Sequence, residues 1–528
     1  MGLITTLKRW IGMFFKNQAE KDFQADIIES PVMEAMIQKC ANIYAGKPSW
    51  ISTDDRIKTI NFAKSVCSET ARLATLAISI QISRPEDEED AEEVNLTDGT
   101  VRKIKKDNPN RWEHVTTPDR AGHPIDKDTG ERAEWMQEQV DGMYFQIRHW
   151  VEYGCAYGTV FIKPNGENGF DVFTPMDVLL TDCDNQEIRG IIFKDQYSEG
   201  KKYYIRLEYH RFVETTIDGK TFFPYYVSNR TYVSESSDSI GKAISMSKTK
   251  WAGLAEEAGP FFKENMKKLT YPLFGVFRTP QANNIDLNTV LGLPIYAEAI
   301  EELKDLDIAY SRNAGEIFDS EKIILADDRL LMPDGTPIKN RNTKYNENRK
   351  KEMKLPHYVK NVFGQDEKEF YREINPQLNT DTRITGINAL LSQLGYKIGF
   401  SNGYFVFNES SGIQTATGVE AEQQRTIQFI KDVRDKLESC LDGAIYAMNV
   451  HADLYGLAPV GAYEVNYDFG DITYSYEIDK QNWWNYVIQN KVPAWMYFVK
   501  FEGMTKEEAM AMQKEVESTQ EKGLFDED

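Results

Sequence analysis

Between Thr380 and Arg434 the chain runs through a helix-patterned stretch, then a glycine-spaced aromatic loop, Gly399-Phe-Ser-Asn-Gly-Tyr-Phe-Val-Phe, and then Thr415-Ala-Thr-Gly-Val, which opens a longer helix. Apolar residues recurring every three or four positions give each helix one buried stripe. The segment is therefore expected to fold as two helices with a loop exposed between them. The longer helix carries Val419, Ile427, Ile430, Leu437, Leu441, Ala444, Met448 and Ala452 on its stripe and should reach about Tyr455, with Thr417 capping the free amides of its first turn. Upstream, Pro280-Gln-Ala-Asn-Asn-Ile-Asp-Leu-Asn-Thr-Val-Leu-Gly-Leu-Pro-Ile-Tyr leads into another amphipathic helix, Leu293 to Asp319. Leu293, Tyr296, Ile300, Leu303, Leu306, Tyr310, Ala314 and Ile317 share its stripe, while Glu298, Glu301, Glu302, Asp305 and Asp307 crowd the rest. One face of that helix packs and the other is strongly negative.

The remaining periodicities describe a mostly helical α+β chain. Leu3, Ile4, Leu7, Trp10, Ile11 and Phe14 form an amphipathic helix, suited to docking on a neighbouring subunit or its own domain, or else to lying on a membrane surface. A long buried helix is expected from Asp55 to Ser83 on Ile57, Ile60, the stem of Lys64, Cys67, Ala71, Ala74 and Ile78, followed by a solvated acidic loop, Arg84-Pro-Glu-Asp-Glu-Glu-Asp-Ala-Glu-Glu. A second helical stripe runs from Glu134 to Gly158 through Trp135, Val140, Met143, Ile147, Trp150 and Val151. After Gly158 the period changes to two, and residues 158–233 read as an antiparallel β-meander. Within it Tyr203, Ile205, Leu207 and Tyr209 alternate with Lys202, Tyr204, Arg206 and Glu208, as a half-buried strand would. Ser234 to Ser247 reads as a mobile connector. Trp483, Trp484, Trp495, Tyr497 and Phe501 mark an aromatic cluster, and Thr505-Lys-Glu-Glu is a capping box for a last helix.

Reaction machinery is missing from the sequence. It holds no phosphate-cradling G-x-x-x-x-G-K-[ST] loop, no H-E-x-x-H and no G-x-S-x-G elbow, so no catalytic residue, cofactor or metal site is assigned. Five cysteines at wide spacing read as reduced, buried thiols. Asp182 and Asp184 either bind a cation or cap their own turn, and the six scattered histidines read as structural. No run of eighteen apolar residues is present, so no membrane-spanning helix is expected. Lys8 and Arg9 interrupt the N-terminal apolar stretch, so it does not read as a secretion signal. The net charge of −21 argues against a nucleic-acid clamp, whose affinity comes from clustered Lys and Arg. It suits a conduit, because an acidic wall repels phosphate over a Debye length of ~8 Å and lets a duplex slide. The same charge also serves plain solubility.

The order and spacing of four segments resemble the portal proteins of tailed bacteriophages. Tyr153-Gly-Cys-Ala-Tyr-Gly-Thr-Val-Phe-Ile with Phe173-Thr-Pro-Met-Asp resembles the family's wing, and Tyr203 to His210 with Val227-Ser-Asn its next strands. Pro280, Asn283 and Gly292 through Tyr310 resemble the approach to the first stem helix. Leu390-Leu-Ser-Gln-Leu-Gly with Thr415-Ala-Thr-Gly-Val resembles the second stem helix and the start of the crown helix. Gly418 stands where the family commonly has Glu, which removes a carboxylate.

The resemblance implies a portal fold with wing, stem, clip and crown regions, in a homo-oligomeric ring, usually of twelve subunits, around a central channel. It divides the chain into a peripheral segment 1–54, wing 55–292, first stem helix 293–319, clip 320–379, second stem helix 380–396, tunnel loop 397–414, and crown helix with C-terminal region 415–528. The implied location is a capsid vertex of the virion, with assembly in the host cytoplasm and no membrane. The implied partners are double-stranded DNA in passage, the terminase large subunit, head-completion or adaptor proteins, and the major capsid and scaffolding proteins. Lys397, Ser401, Asn402, Tyr404 and Asn408 would contact DNA from the loop, whose Gly399 and Gly403 permit the backbone to tilt. Tyr404, Phe405 and Phe407 could instead plug the space between helices. Glu301, Lys304, Asp305, Arg312 and Glu316 would line the stem channel. The basic run Lys339, Arg341, Lys344, Arg349, Lys350, Lys351 and Lys354 would dock partners in the clip, or else be a solvated loop. Two other readings stand beside this one: a structural capsid or scaffold-binding protein that never meets DNA, and a DNA-processing enzyme.

Overall fold

The structure, a computed structural model, describes residues 15–51, 57–85, 94–95, 101–102, 130–165, 169–217, 219–236, 239–262, 267–319, 323–327, 357–361, 371–374, 379–407 and 416–470, with 484, 487–488, 493–502 and 509–512 beyond. The amphipathic helix expected before Phe14 and the capping box at Thr505 lie outside these residues, as do Trp483 and most of the acidic loop after Arg84. The chain is α+β and divides into two compact units, residues 1–75 with 79–467 and residues 76–78 with 468–528. In the smaller unit a helix, Ala494–Glu502, brings Tyr497 to Trp484, ring centroids 5.0 Å apart.

In the larger unit α1 (Pro31–Tyr44) starts on a proline, which fits the first turn because its missing N–H has no partner there. Helix α2 spans Phe62–Ala74, 13 residues, and a strand, β1 (Ser79–Ser83), follows. The single helix expected from Asp55 to Ser83 is therefore corrected. Ala77 turns the backbone to a φ of 49°, and Ile80 and Ile82 are buried at a spacing of two, so the period changes where the longer count ran on. The stripe from Glu134 to Gly158 is likewise two helices, α3 (Glu131–Asp141) and α4 (Tyr144–Tyr157), divided at Gly142 and the buried Met143. Gly158 ends α4 at a φ of 82°, and a Cβ there would lie 2.2 Å from the Gly292 carbonyl oxygen. That close approach lets Gly292 N–H donate to Thr159 Oγ1 (2.8 Å) and Ile295 N–H to the Cys155 carbonyl (3.0 Å), which fixes the chain leading into the next long helix.

The expected single meander is three sheets, the smallest a pair of short strands, Thr215–Ile217 and Lys220–Phe222. Strands β2 (Thr159–Pro164) and β3 (Phe170–Phe173) form a hairpin, and the larger sheet follows with β4 (Val178–Cys183), β5 (Ile188–Glu199), β6 (Lys202–Phe212) and β7 (Tyr225–Ser234). The reading of Ser234 to Ser247 as a mobile connector gives way to β8 (Lys242–Ala243), which pairs with β7, and to the buried Met246. The larger sheet runs β8-β7-β6-β5-β4 with antiparallel neighbours, and β9 (Glu257–Phe261) also pairs with β7. The hairpin joins β10 (Gly275–Arg278) in the order β10-β2-β3.

Helix α5 (Ile300–Asp319) starts later than its sequence stripe, because Pro294 and a 3-10 turn, Ala297–Ala299, precede it. Leu303 and Leu306 are buried, but Tyr310 and Ile317 farther along the expected stripe are exposed. Strand β11 (Ile323–Asp327) runs parallel to β12 (His357–Asn361) and antiparallel to β13 (Tyr371–Ile374), and α6 (Thr380–Ile398) returns beside α5. Helix α7 (Ala416–Tyr455, 40 residues) lies directly on β10. It comes so near that a Cβ on Gly275 would fall 2.1 Å from the Cys440 carbonyl oxygen. Thr417 lies within the first turn of α7 rather than at its cap. At the other end the buried Arg132 donates to the Asn449 (3.0 Å), Ala458 (3.1 Å) and Pro459 (2.6 Å) carbonyls and pairs with Asp453 (2.5 Å), placing a cation where the helix dipole is negative.

Candidate functional site

Helices α5 and α6 are antiparallel, because the start of one meets the end of the other: Lys397 Nζ pairs with Glu302 Oε1 at 2.5 Å, while Arg383 pairs with Glu316. Glu316 also accepts from the Asn379 N–H at 3.0 Å, and Lys397 reaches the Glu298 carbonyl at 3.4 Å. Burial pushes the Glu302 carboxyl up, but the hydrogen bond and charge of Lys397, with a backbone N–H, outweigh it and hold the group below its ordinary range. Two candidates from the sequence, Lys397 and Glu316, are thus held in the seam between the helices. Glu301, Asp305 and Arg312 lie along the exposed face, one or more turns apart on a single stripe. Lys304, also partly exposed, comes within 3.7 Å of Glu301. The negative face is narrower than expected, since Asp307 is buried. It accepts from Trp50 Nε1 (2.9 Å) and the Ile60 N–H (3.0 Å), tying α5 to the chain before α2, and burial raises its carboxyl against those bonds.

The aromatic loop is tied to α2, α6 and α7. Phe400 is fully buried, its ring centroid 4.8 Å from that of Phe405 and 5.6 Å from that of Phe429 on α7. Ser401 is buried as well: its N–H donates to Thr426 Oγ1 (2.8 Å), and its Oγ accepts from the Thr426 N–H (3.3 Å). The Tyr404 hydroxyl donates to Glu69 Oε1 at 2.6 Å, and Phe405 meets Phe62 edge to face at 5.1 Å. Asn388 on α6 accepts from the Phe407 N–H (3.0 Å) and donates to its carbonyl (2.9 Å). Tyr404 and Phe405 pack as the plug reading has them, whereas Phe407 is exposed, and Ser401 and Tyr404 are engaged within the chain. Asn402 is exposed. Asn408 lies outside the described residues, as do Lys339, Arg341, Lys344, Arg349, Lys350, Lys351 and Lys354.

Sequence reading missed Glu69, whose partner is 335 residues away, and Asn388 and Thr426, which reach the loop from the helices on either side of it. It also missed that both faces of β6 are buried. Glu208 lies 2.5 Å from Lys163 Nζ, 3.1 Å from Arg206 Nη2 and 3.1 Å from His210 Nε2. Burial pushes its carboxyl up, yet Arg206 and Lys163 overcome that and hold it well below the ordinary carboxylate range. Burial pushes His210 down against the pull of Glu208, and it pushes His451 nearby down to about 3. Lys163 and Arg206 thus compensate the buried charge of Glu208.

Asp182 and Asp184 both pair with Arg189, at 2.9 and 2.6 Å, and Asp184 Oδ1 accepts the Gln186 and Glu187 N–H groups at 2.8 Å, as a turn cap does. Burial raises the Cys40 thiol to about 12 and moves those of Cys67, Cys155 and Cys440 upward, which makes them poor nucleophiles. Among the described residues no group of three or more His, Cys, Asp or Glu side chains is arranged to hold a metal, and no helix is long and apolar enough to cross a membrane. No known family matches the chain, and no curated protein matches it either.

Proposed function

We propose that this chain is a portal subunit of a tailed bacteriophage. In this reading many copies close into a ring at one capsid vertex, and double-stranded DNA enters and leaves through the channel. The observation that carries the reading is the α5/α6 pair. Its cations Lys397 and Arg383 are bound in the seam by Glu302 and Glu316, while Glu301 and Asp305 stay on the open face. A duplex facing that surface meets carboxylates that repel it and Arg312 and Lys304 as transient phosphate contacts, which favours sliding over capture. The sheet β11–β13 at the far end of the pair and the long helix α7 after the loop follow the order of stem, clip and crown in the resemblance. The clip then meets the terminase large subunit and afterwards the head-completion proteins, and the wing meets capsid and scaffolding proteins. The energy for packaging comes from the partner ATPase, since no catalytic role is assigned to this chain.

The test is to reverse the stem charges with Glu301→Lys and Asp305→Lys together in a complemented infection. The double variant should still incorporate into particles, and the particles should fill with DNA well below the wild-type level. Normal filling would remove the acidic face from the channel wall.

A further inference from the structure

The ion pairs around Glu208 leave several buried polar atoms over. Arg206 on β6 is 1% exposed and engages one nitrogen, Nη2, with Glu208 (3.1 Å) and Asp195 (3.4 Å). Among the described residues its Nε and Nη1 have no acceptor, although both are buried. The Asn229 Oδ1 on β7 is buried without a donor. The orientation of that amide is set by its other end, since Nδ2 donates to the Ala255 carbonyl at 2.8 Å and leaves Oδ1 to accept. On α7 the His451 Nδ1 is buried and unbonded as well. Burial keeps this imidazole neutral, so one ring nitrogen is an acceptor.

Arg206, Asn229 and His451 line one cavity with Lys163 and Glu208, and the space in it open to a water molecule is about 20 Å³. A single internal water needs roughly 10–15 Å³ and a few polar partners. Charge decides which occupant fits. Lys163 and Arg206 are already matched by Glu208 and Asp195, so an added ion of either sign would bring an uncompensated charge into the interior. A neutral molecule that both donates and accepts suits a donor on Arg206 and acceptors on Asn229 and His451. We infer that this cavity is a binding site for an internal water, which accepts from the Arg206 guanidinium and donates to Asn229 Oδ1 and His451 Nδ1. Its partners stand on β6, β7 and α7, so the water joins the larger sheet to the last turns of the long helix. The site is independent of how copies of the chain associate.

A crystal structure of the full-length protein, grown in chloride and again in bromide, tests the site. One density peak should stand within about 3.2 Å of an Arg206 nitrogen, Asn229 Oδ1 and His451 Nδ1, with no anomalous signal in the bromide crystals. Anomalous bromide density would overturn the inference in favour of an anion. An empty cavity, or direct bonds among the three side chains, would overturn it outright. His451→Leu keeps nearly the same volume and removes one acceptor. The peak should be lost in that variant while Lys163, Arg206 and Glu208 hold their positions, and undiminished density there would overturn the bridge to α7. The wild-type crystals decide the site even if this variant does not fold.

Discussion

Glu208 keeps its charge inside the larger unit because Lys163 and Arg206 lie against it, and the two histidines beside this cluster stay neutral because burial disfavours a further cation. The sign of the resulting pH dependence follows. A histidine neutral in the fold takes up a proton on unfolding once the pH drops below its ordinary value of 6.5, so its contribution to stability is complete above 6.5 and is lost as the pH falls. Each such group adds a slope of up to about 1.4 kcal/mol per pH unit. Below about 4.5, Glu208 adds to the loss, because its stabilisation exists only while it is ionised. Asp307 and Glu438, raised by burial, act with the opposite sign. The clean comparison is therefore between proteins: urea unfolding between pH 6.5 and 4.5 should show a slope shallower by about 1.4 kcal/mol per pH unit in His451→Gln than in the wild type. Equal slopes would mean that His451 is already protonated in the fold.

Helix α7 was legible nearly to its ends, expected from Thr415 to about Tyr455 and found at Ala416–Tyr455, because one 3.6-residue stripe persists over 40 residues. The α5/α6 pair shows what such patterns leave open. Periodicity separates a packed face from an open one, but it does not say which carboxylates meet a cation brought in from another part of the chain. Glu302 and Lys397 are 95 residues apart, by difference of their numbers, and Glu69 and Tyr404 are 335 apart. Only the folded chain brings them together. Lys397, a phosphate contact by sequence reasoning, is a seam residue by placement, and the two roles give different results. Lys397→Glu should destabilise the pair by repulsion with Glu302, and adding Glu302→Lys should restore it. The coupling in a double-mutant cycle should be about 0.2–1 kcal/mol, since the lysine is 39% exposed. If the double variant assembles and packages normally, Lys397 serves the seam. If packaging fails despite restored stability, the phosphate role returns.

For the whole molecule the decisive quantity is how copies associate. A net charge of −21 per chain makes association of many copies costly unless the acidic surfaces face open space and the contact surfaces are compensated. In the proposed ring Glu301 and Asp305 would line the bore, and Glu302 and Glu316 are already paired with Lys397 and Arg383. Tyr310 and Ile317, exposed on α5 beyond the point where its packed stripe ends, are apolar surface that a neighbouring copy in such a ring would cover. The most direct measurement is electron microscopy of the purified full-length protein. Closed rings of identical subunits with an axial opening wide enough for a duplex are the expected images. Monomers, open sheets, or closed assemblies with no axial opening would contradict the account.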